Sequence, residues 1–130
     1  MRVLLLGCGS NQGRKFLTKG PTQPHDFSDG ELVTLDMEAS HNPDVVFNLN
    51  DLTSGAQLPF QTGEFEEIHA YEVLEHIGTQ GDFAGFFNEF KEYWRVLKPD
   101  GLLVGSCPNW DSIWAWGDPG HTRIISAGTL

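Results

Sequence analysis

An α/β protein, an open parallel sheet of about five strands with flanking helices, is the fold this sequence predicts. Three observations carry the prediction. Short apolar runs recur along the chain and end in turn or polar residues. The first of them, Arg2-Val3-Leu4-Leu5-Leu6, runs straight into Gly7-Cys8-Gly9-Ser10. One long amphipathic helix falls between the last two runs. Strands this short and this apolar are buried on both faces, which is the mark of a parallel sheet with crossover connections.

The elements follow in order. Residues 2–6 form the first strand, and the glycines after it permit a sharp turn that a ligand can approach closely. Asn11 to Leu17 reads as a short helix with Arg14 and Lys15 exposed, stopped by Pro21 and Pro24, and residues 18–30 as loop. Glu31–Leu35 is a second strand ending at Asp36, and Asp44–Leu49 a third, introduced by Pro43. Residues 50–65, with Gly55, Pro59 and Gly63, are mostly loop with one helical turn. Glu66–Tyr71 is a fourth strand, followed by a helical turn at Val73–Ile77.

The helix spans residues 82–97. Phe83, Phe86, Phe87, Phe90, Trp94 and Leu97 recur at the spacing of one helical face and are read as its packing face. Asp82 can cap its start, and Pro99-Asp100-Gly101 ends it. Leu102–Cys107 is a fifth strand. Beyond Pro108 the chain carries Trp110, Trp114 and Trp116 but little regular pattern, and there are no internal repeats.

At 130 residues the chain suits a single domain, residues 1–130, large enough to bury a core. No apolar run is long enough to span a bilayer, and the N-terminal run is too short for a secretory signal. Cys8 and Cys107 fit no zinc or disulfide spacing and read as small buried thiols of a reducing cytoplasm. The balance of 18 acidic and 8 basic residues, a formal charge of −10, disfavours a nucleic-acid substrate. It weakly favours a cationic ligand, and solubility alone explains it equally well.

Three strand ends carry groups suited to a nucleoside. Gly7-Cys8-Gly9 closes the first strand. Asp36 closes the second, where a carboxylate can accept hydrogen bonds from a ribose diol. Asn48 near the end of the third offers a donor and an acceptor to a nucleobase edge, and Met37 could pack on an adenine face. Singly each is weak, because Asp is common at strand ends as a turn former.

Five ordered segments resemble the class I S-adenosylmethionine-dependent methyltransferase family. They are Val3-Leu4-Leu5-Leu6-Gly7-Cys8-Gly9-Ser10; Leu35-Asp36; Leu58-Pro59-Phe60 with Phe65-Glu66-Glu67-Ile68; Val73-Leu74-Glu75-His76-Ile77; and Leu97-Lys98-Pro99-Asp100-Gly101-Leu102-Leu103 with Pro108-Asn109. The resemblance implies a Rossmann-like sheet, S-adenosylmethionine as cofactor and methyl transfer, while the acidity and the tryptophans suggest a small-molecule or saccharide-like acceptor. Carried over by position, the Gly7, Cys8 and Gly9 turn would meet the methionine and ribose portions, and Asp36 the ribose hydroxyls. Asn48 and Leu49 would lie beside the adenine, where an aspartate is more usual than Asn48. Tyr71 and Glu72 would face the methionine end and the transferred methyl.

Methyl transfer asks for in-line placement and exclusion of water, with a general base only where the acceptor must lose a proton. His76 is the best such candidate by type and place, with Glu75 and His121 behind it. A structural role for His76, shaping the loop after the fourth strand, stands beside the catalytic one. His25, His41 and His69 show no metal-ligand spacing, so no metal is expected.

A nicotinamide-dependent oxidoreductase needs G-x-G-x-x-G, and here the third glycine, Gly13, comes one residue late. A degenerate, non-catalytic nucleoside- or S-adenosylmethionine-binding domain gains weight from length. Members of the resembling family usually continue past the fifth strand with a helix and two more strands, one antiparallel. The expectation is therefore a shortened protein, or a piece of a longer one, lacking those strands. The fifth strand then has one unpaired edge, and the three tryptophans lack cover. A homodimer burying that edge with Trp110, Trp114 and Trp116 is expected, the alternative being a tryptophan lid on the same domain.

Overall fold

The computed structural model describes residues 2–13 and 30–130. Five strands form one all-parallel sheet: β1 Arg2–Leu6, β2 Glu31–Asp36, β3 Val45–Val46, β4 Phe65–Tyr71 and β5 Leu97–Ser106, in the order β3-β2-β1-β4-β5. The expected short helix at Asn11–Leu17 falls largely outside the described residues. β1 is central, with Leu4 paired to Val33 on one side and Ile68 on the other. The strand order reverses direction between β1 and β4, which opens a crevice beyond the carboxyl ends of the strands. Leu4, Leu6, Leu35, Leu52, Phe65, Ile68 and Val96 are buried completely and form the centre of the core.

Two strands differ from expectation. β3 is only Val45–Val46, because the Asn48 side chain turns back to accept from the Asn50 amide at 3.0 Å and caps a 3-10 turn over Leu49–Ser54. β5 starts earlier than expected, at Leu97. Its register against β4 jumps from Phe65↔Leu97 to Glu67↔Leu102, so Pro99-Asp100-Gly101 is accommodated as an irregularity within the strand, with Asp100 at φ 63°.

Helix α1, Phe83–Val96, is capped by Asp82, whose carboxylate accepts from the Gly85 amide at 3.0 Å. Its aromatic stripe forms only the margin of the packing face, through Phe86, Phe90 and Leu97. Phe83, Phe87 and Trp94 are exposed, and the face turned inward carries Gly85, Glu89, Glu92, Tyr93 and Val96, with Phe86 and Phe90 packed beside it. Two carboxylates can be buried there because each finds partners. Glu92 accepts from the Leu58 amide at 2.9 Å and from Arg95, and Glu89 accepts from the Tyr93 hydroxyl at 2.9 Å and pairs with Arg123 at 2.8 Å. Buried Glu89 and its neighbours thereby decide the rotation of the helix.

The C-terminal segment returns to the turn that follows β4. The Thr122 amide donates to the Glu75 carbonyl at 2.9 Å, the Arg123 guanidinium to the Leu74 carbonyl at 2.8 Å, and Ile125 is buried. A short helix that the sequence pattern did not announce, α2 Ile113–Gly117, buries only Ala115. Trp110, Trp114 and Trp116 are exposed, so no tryptophan lid covers this domain. Among the described residues β5 pairs on one side only. No helix of the described residues is long and apolar enough to cross a membrane.

Candidate functional site

The turn after β1 is built from two left-handed residues, Gly7 at φ 57° and Gly9 at φ 58°. A Cβ on Gly7 would stand 2.5 Å from the Val73 side chain, so the turn can sit against the segment after β4 only as glycine. A Cβ on Gly9 would meet nothing within 4 Å, leaving that backbone open on its outer side. The Cys8 amide donates to the Leu35 carbonyl at 3.2 Å and the Gly9 amide to Asp36 Oδ2 at 2.8 Å, which lock the turn to the end of β2.

Asp36 is nearly buried. Its Oδ1 accepts from the Glu38 amide at 2.8 Å, and His41 Nδ1 lies 3.6 Å away. Burial opposes its charge, yet the amides of Glu38 and Gly9 and the nearby imidazole outweigh it and hold the carboxyl below the usual carboxylate range. An ionised carboxylate has about four lone-pair sites. Two are taken by the amides, so capacity remains for a diol.

A cleft of about 440 Å³ opens at these strand ends, within the roughly 300–1,000 Å³ of ordinary small-ligand pockets. Of the expected cofactor residues it is lined by Gly7, Asp36, Met37, Asn48, Leu49 and Glu72, and His76 stands on its wall. Three expected residues are placed otherwise. Cys8 is buried beneath the turn, and Gly9 borders the cleft only through its bond to Asp36. Tyr71 is directed elsewhere, its hydroxyl 3.0 Å from His69 Nδ1, in a row with Glu67, whose Oε2 is 2.8 Å from His69 Nε2. The alternation of a strand explains this: residues 67, 69 and 71 share one face of β4.

Glu72 has φ 52°, a left-handed conformation that a non-glycine residue adopts at a cost, and its amide donates to the Ser106 carbonyl at 2.8 Å. Strain of this kind at a cleft wall accords with a functional position. His76 sits in a 3-10 turn, Leu74–His76, with Nδ1 2.9 Å from the Gly120 carbonyl. A carbonyl only accepts, so Nδ1 carries the hydrogen and Nε2 keeps a lone pair in the neutral ring. Beside it Glu75 is buried, and loss of solvent, with the Glu72 carboxylate adding to it, raises its carboxyl above the ordinary value. Burial likewise pushes the Cys107 thiol up to about 12.

Phe47, Val73 and Gly120 also line the cleft and were not singled out from the sequence. Phe47 carries a local signal, an apolar residue at a strand end. Gly120 comes from a distant segment and carries none.

The nucleoside end of S-adenosylmethionine fits this arrangement by chemistry: an open glycine backbone, an ionised carboxylate beside it, and an apolar wall from Phe47 and Leu49 with Asn48 between them. Comparison with known proteins agrees in kind. A search of curated proteins finds no match. A crystal structure of a SAM dependent methyltransferase from Archaeoglobus fulgidus superposes with a TM-score of 0.63 at 17% identity, over 98% of this chain and 56% of that one. The chain thus spans little more than half the length of that protein, and the likeness is one of fold. The family described as a methyltransferase domain matches residues 4–105, from β1 to within β5. With most of its length inside that match, and the glycine turn and Asp36 within it, the chain belongs to the methyltransferase domain family.

Proposed function

We propose that residues 1–130 form one S-adenosylmethionine-binding domain that transfers a methyl group in line to a small-molecule or saccharide-like acceptor. The observation that carries this is Asp36, an ionised carboxylate held by the Gly9 amide and aimed into the cleft at the strand-order reversal. Bound S-adenosylmethionine would supply a methyl group already activated on a sulfonium. The chain's own residues then have three tasks. Asp36 and Asn48 bind and orient the nucleoside, with Met37 and Leu49 as apolar contacts. The Gly7-Cys8-Gly9 turn brings backbone close to the ligand. Glu72 and His76 form the wall nearest the exchange, and His76 Nε2 takes the proton when the acceptor must lose one.

Calorimetric titration with S-adenosylmethionine, S-adenosylhomocysteine and NAD tests the site. Binding of the first two alone is expected, and tight NAD binding overturns the reading. Turnover on a panel of small acceptors separates an enzyme from a domain that binds without catalysis. The edge of β5 that no strand of the described residues pairs, with the exposed Trp110, Trp114 and Trp116, further supports pairing of two copies through that side. Sedimentation showing a monomer at high concentration counts against it.

A further inference from the structure

Glu75, His76 and His121 come together where the turn after β4 meets the C-terminal segment. We propose that they form a site for one divalent transition-metal ion of the zinc type, ligated by the Glu75 carboxylate and the two Nε2 atoms.

Three features support it. Backbone carbonyls fix both imidazoles. His76 Nδ1 is 2.9 Å from the Gly120 carbonyl and His121 Nδ1 is 3.2 Å from the Ala115 carbonyl. Each Nδ1 therefore donates, and each Nε2 is left with its lone pair when the ring is neutral. This is the outer-shell pattern that orients ligating histidines.

Second, the remaining atoms converge. His76 Nε2 and His121 Nε2 lie 4.0 and 3.9 Å from Glu75 Oε1, and the three ligand atoms are all within 4.8 Å of one another. A tetrahedral zinc with bonds of about 2.0–2.1 Å sets its ligand atoms roughly 3.3 Å apart. Side-chain shifts of about an ångström or less would close the cluster on an ion.

Third, Glu75 is poorly satisfied. It is 2% exposed, and no amide, hydroxyl or guanidinium of another residue donates to its oxygens, which have the Cys107 thiol and the Glu72 side chain beside them. A buried carboxylate with no stronger donor from another residue than a thiol is costly, and the Glu72 carboxylate nearby makes the position more negative still. The buried Arg123 guanidinium offers no relief, being committed to Glu89 and the Leu74 carbonyl. Three electron-rich atoms facing one another call for a positive occupant.

The donor set identifies its class. Two imidazoles and one carboxylate suit Zn²⁺, Co²⁺ or Ni²⁺, whereas Mg²⁺ and Ca²⁺ prefer oxygen ligands. Three protein ligands leave a fourth position, and Asp118 Oδ2, 3.6 Å from His121 Nε2, adds a carboxylate at the rim. Because His76 also lines the cleft, a metal on its Nε2 and a substrate proton there exclude each other. That last consequence alone rests on the methyltransferase reading.

The test uses the full chain without an affinity tag. Zn²⁺ is titrated in competition with a chromophoric chelator, and Co²⁺ is followed by its visible absorption. One ion per chain is expected, with submicromolar affinity for Zn²⁺, a four-coordinate Co²⁺ spectrum and no displacement by excess Mg²⁺. Glu75→Gln and His121→Asn should each weaken binding at least about 100-fold, beyond the 10–100-fold typical of losing an outer-shell partner. Circular dichroism and urea melts check that the variants fold, and the wild-type titration stands without them. Absence of stoichiometric binding by the wild-type chain, displacement by Mg²⁺, or folded variants that bind like wild type would each overturn the site. S-adenosylhomocysteine binding, measured separately, reports on the cofactor cleft and not on this cluster.

Discussion

Arg123 and Glu89 form an ion pair, 2.8 Å from nitrogen to oxygen, that solvent does not reach. The pair joins the C-terminal segment to the buried face of α1, and the Tyr93 hydroxyl completes it. Breaking a buried pair leaves an uncompensated charge, so Arg123→Met should destabilise the domain by about 3–5 kcal/mol. Adding Glu89→Gln keeps an acceptor for Tyr93 while removing the charge, and should recover much of the loss. Urea unfolding of the two variants checks both steps. A single variant as stable as wild type shows that the pair contributes nothing net.

Asp36 offers the most direct test of the cleft. Asp36→Asn keeps the shape but surrenders the charge and one acceptor, and its Gly9 and Glu38 amide partners compete for what remains. Affinity for S-adenosylhomocysteine should fall by about 1.5–3 kcal/mol, the range for hydrogen bonds to charged groups. Calorimetry reads this directly, and unchanged affinity leaves Asp36 with only its turn-forming role.

Gly7 and Gly9 share a left-handed φ but not a neighbourhood. Alanine at either position pays the roughly 1–2 kcal/mol left-handed penalty. Gly7→Ala must also displace Val73, so its loss of thermal stability should be clearly larger than that of Gly9→Ala. Gly9→Ala should instead be noticed in ligand binding. Equal melting temperatures for the two variants contradict the close approach at Val73.

Acid should weaken the N-terminal strand through Glu66. The Lys98 ammonium, with the Arg2 amide at 2.6 Å, holds the Glu66 carboxyl down to about 2. A group whose folded value is depressed contributes stability above its unfolded value, and loses it as pH falls through the folded one. The window therefore runs from near the ordinary carboxylate value, about 4.3, down towards 2. The loss of stability that urea melts record across that range should be smaller in Glu66→Gln, and added salt should shrink the difference because the pair is partly exposed.

Trp94 and Phe87 face outward on α1. Trp94→Lys should change stability by no more than about 0.5 kcal/mol, the range for surface substitutions without special contacts. A loss of several kcal/mol on urea unfolding indicates instead that the face is covered in solution.

Legibility followed the range of the interactions. β1, β2, β4 and the Asp82 cap could be read because a run of apolar residues or a capping carboxylate states its own role locally. The glycine turn and Asp36 could be read for the same reason, since each is a residue type required at the end of a strand. The facing of α1 could not. Aromatic spacing favours one face, and the choice went to the other because Glu89 has Arg123 as its partner, 34 positions away. The cluster of His76 and His121 was hidden likewise: it depends on α2 and the returning C-terminal segment, neither of which has a repeating pattern. Tyr71 was misplaced for a simpler reason, the twofold alternation of a strand.

The central place of β1 has a consequence for how the molecule is made. Leu4 lies between Val33 and Ile68, so this strand is synthesised before either of its neighbours. Until β4 leaves the ribosome, the apolar run Val3–Leu6 has at most one side paired, and the glycine turn has Leu35 but not yet Val73 to rest against. Non-local pairing of this kind is slow and exposes sticky surface while it waits. A growing chain therefore cannot close the glycine turn until Val73 has emerged, nor finish the wall of the cleft until Gly120 has.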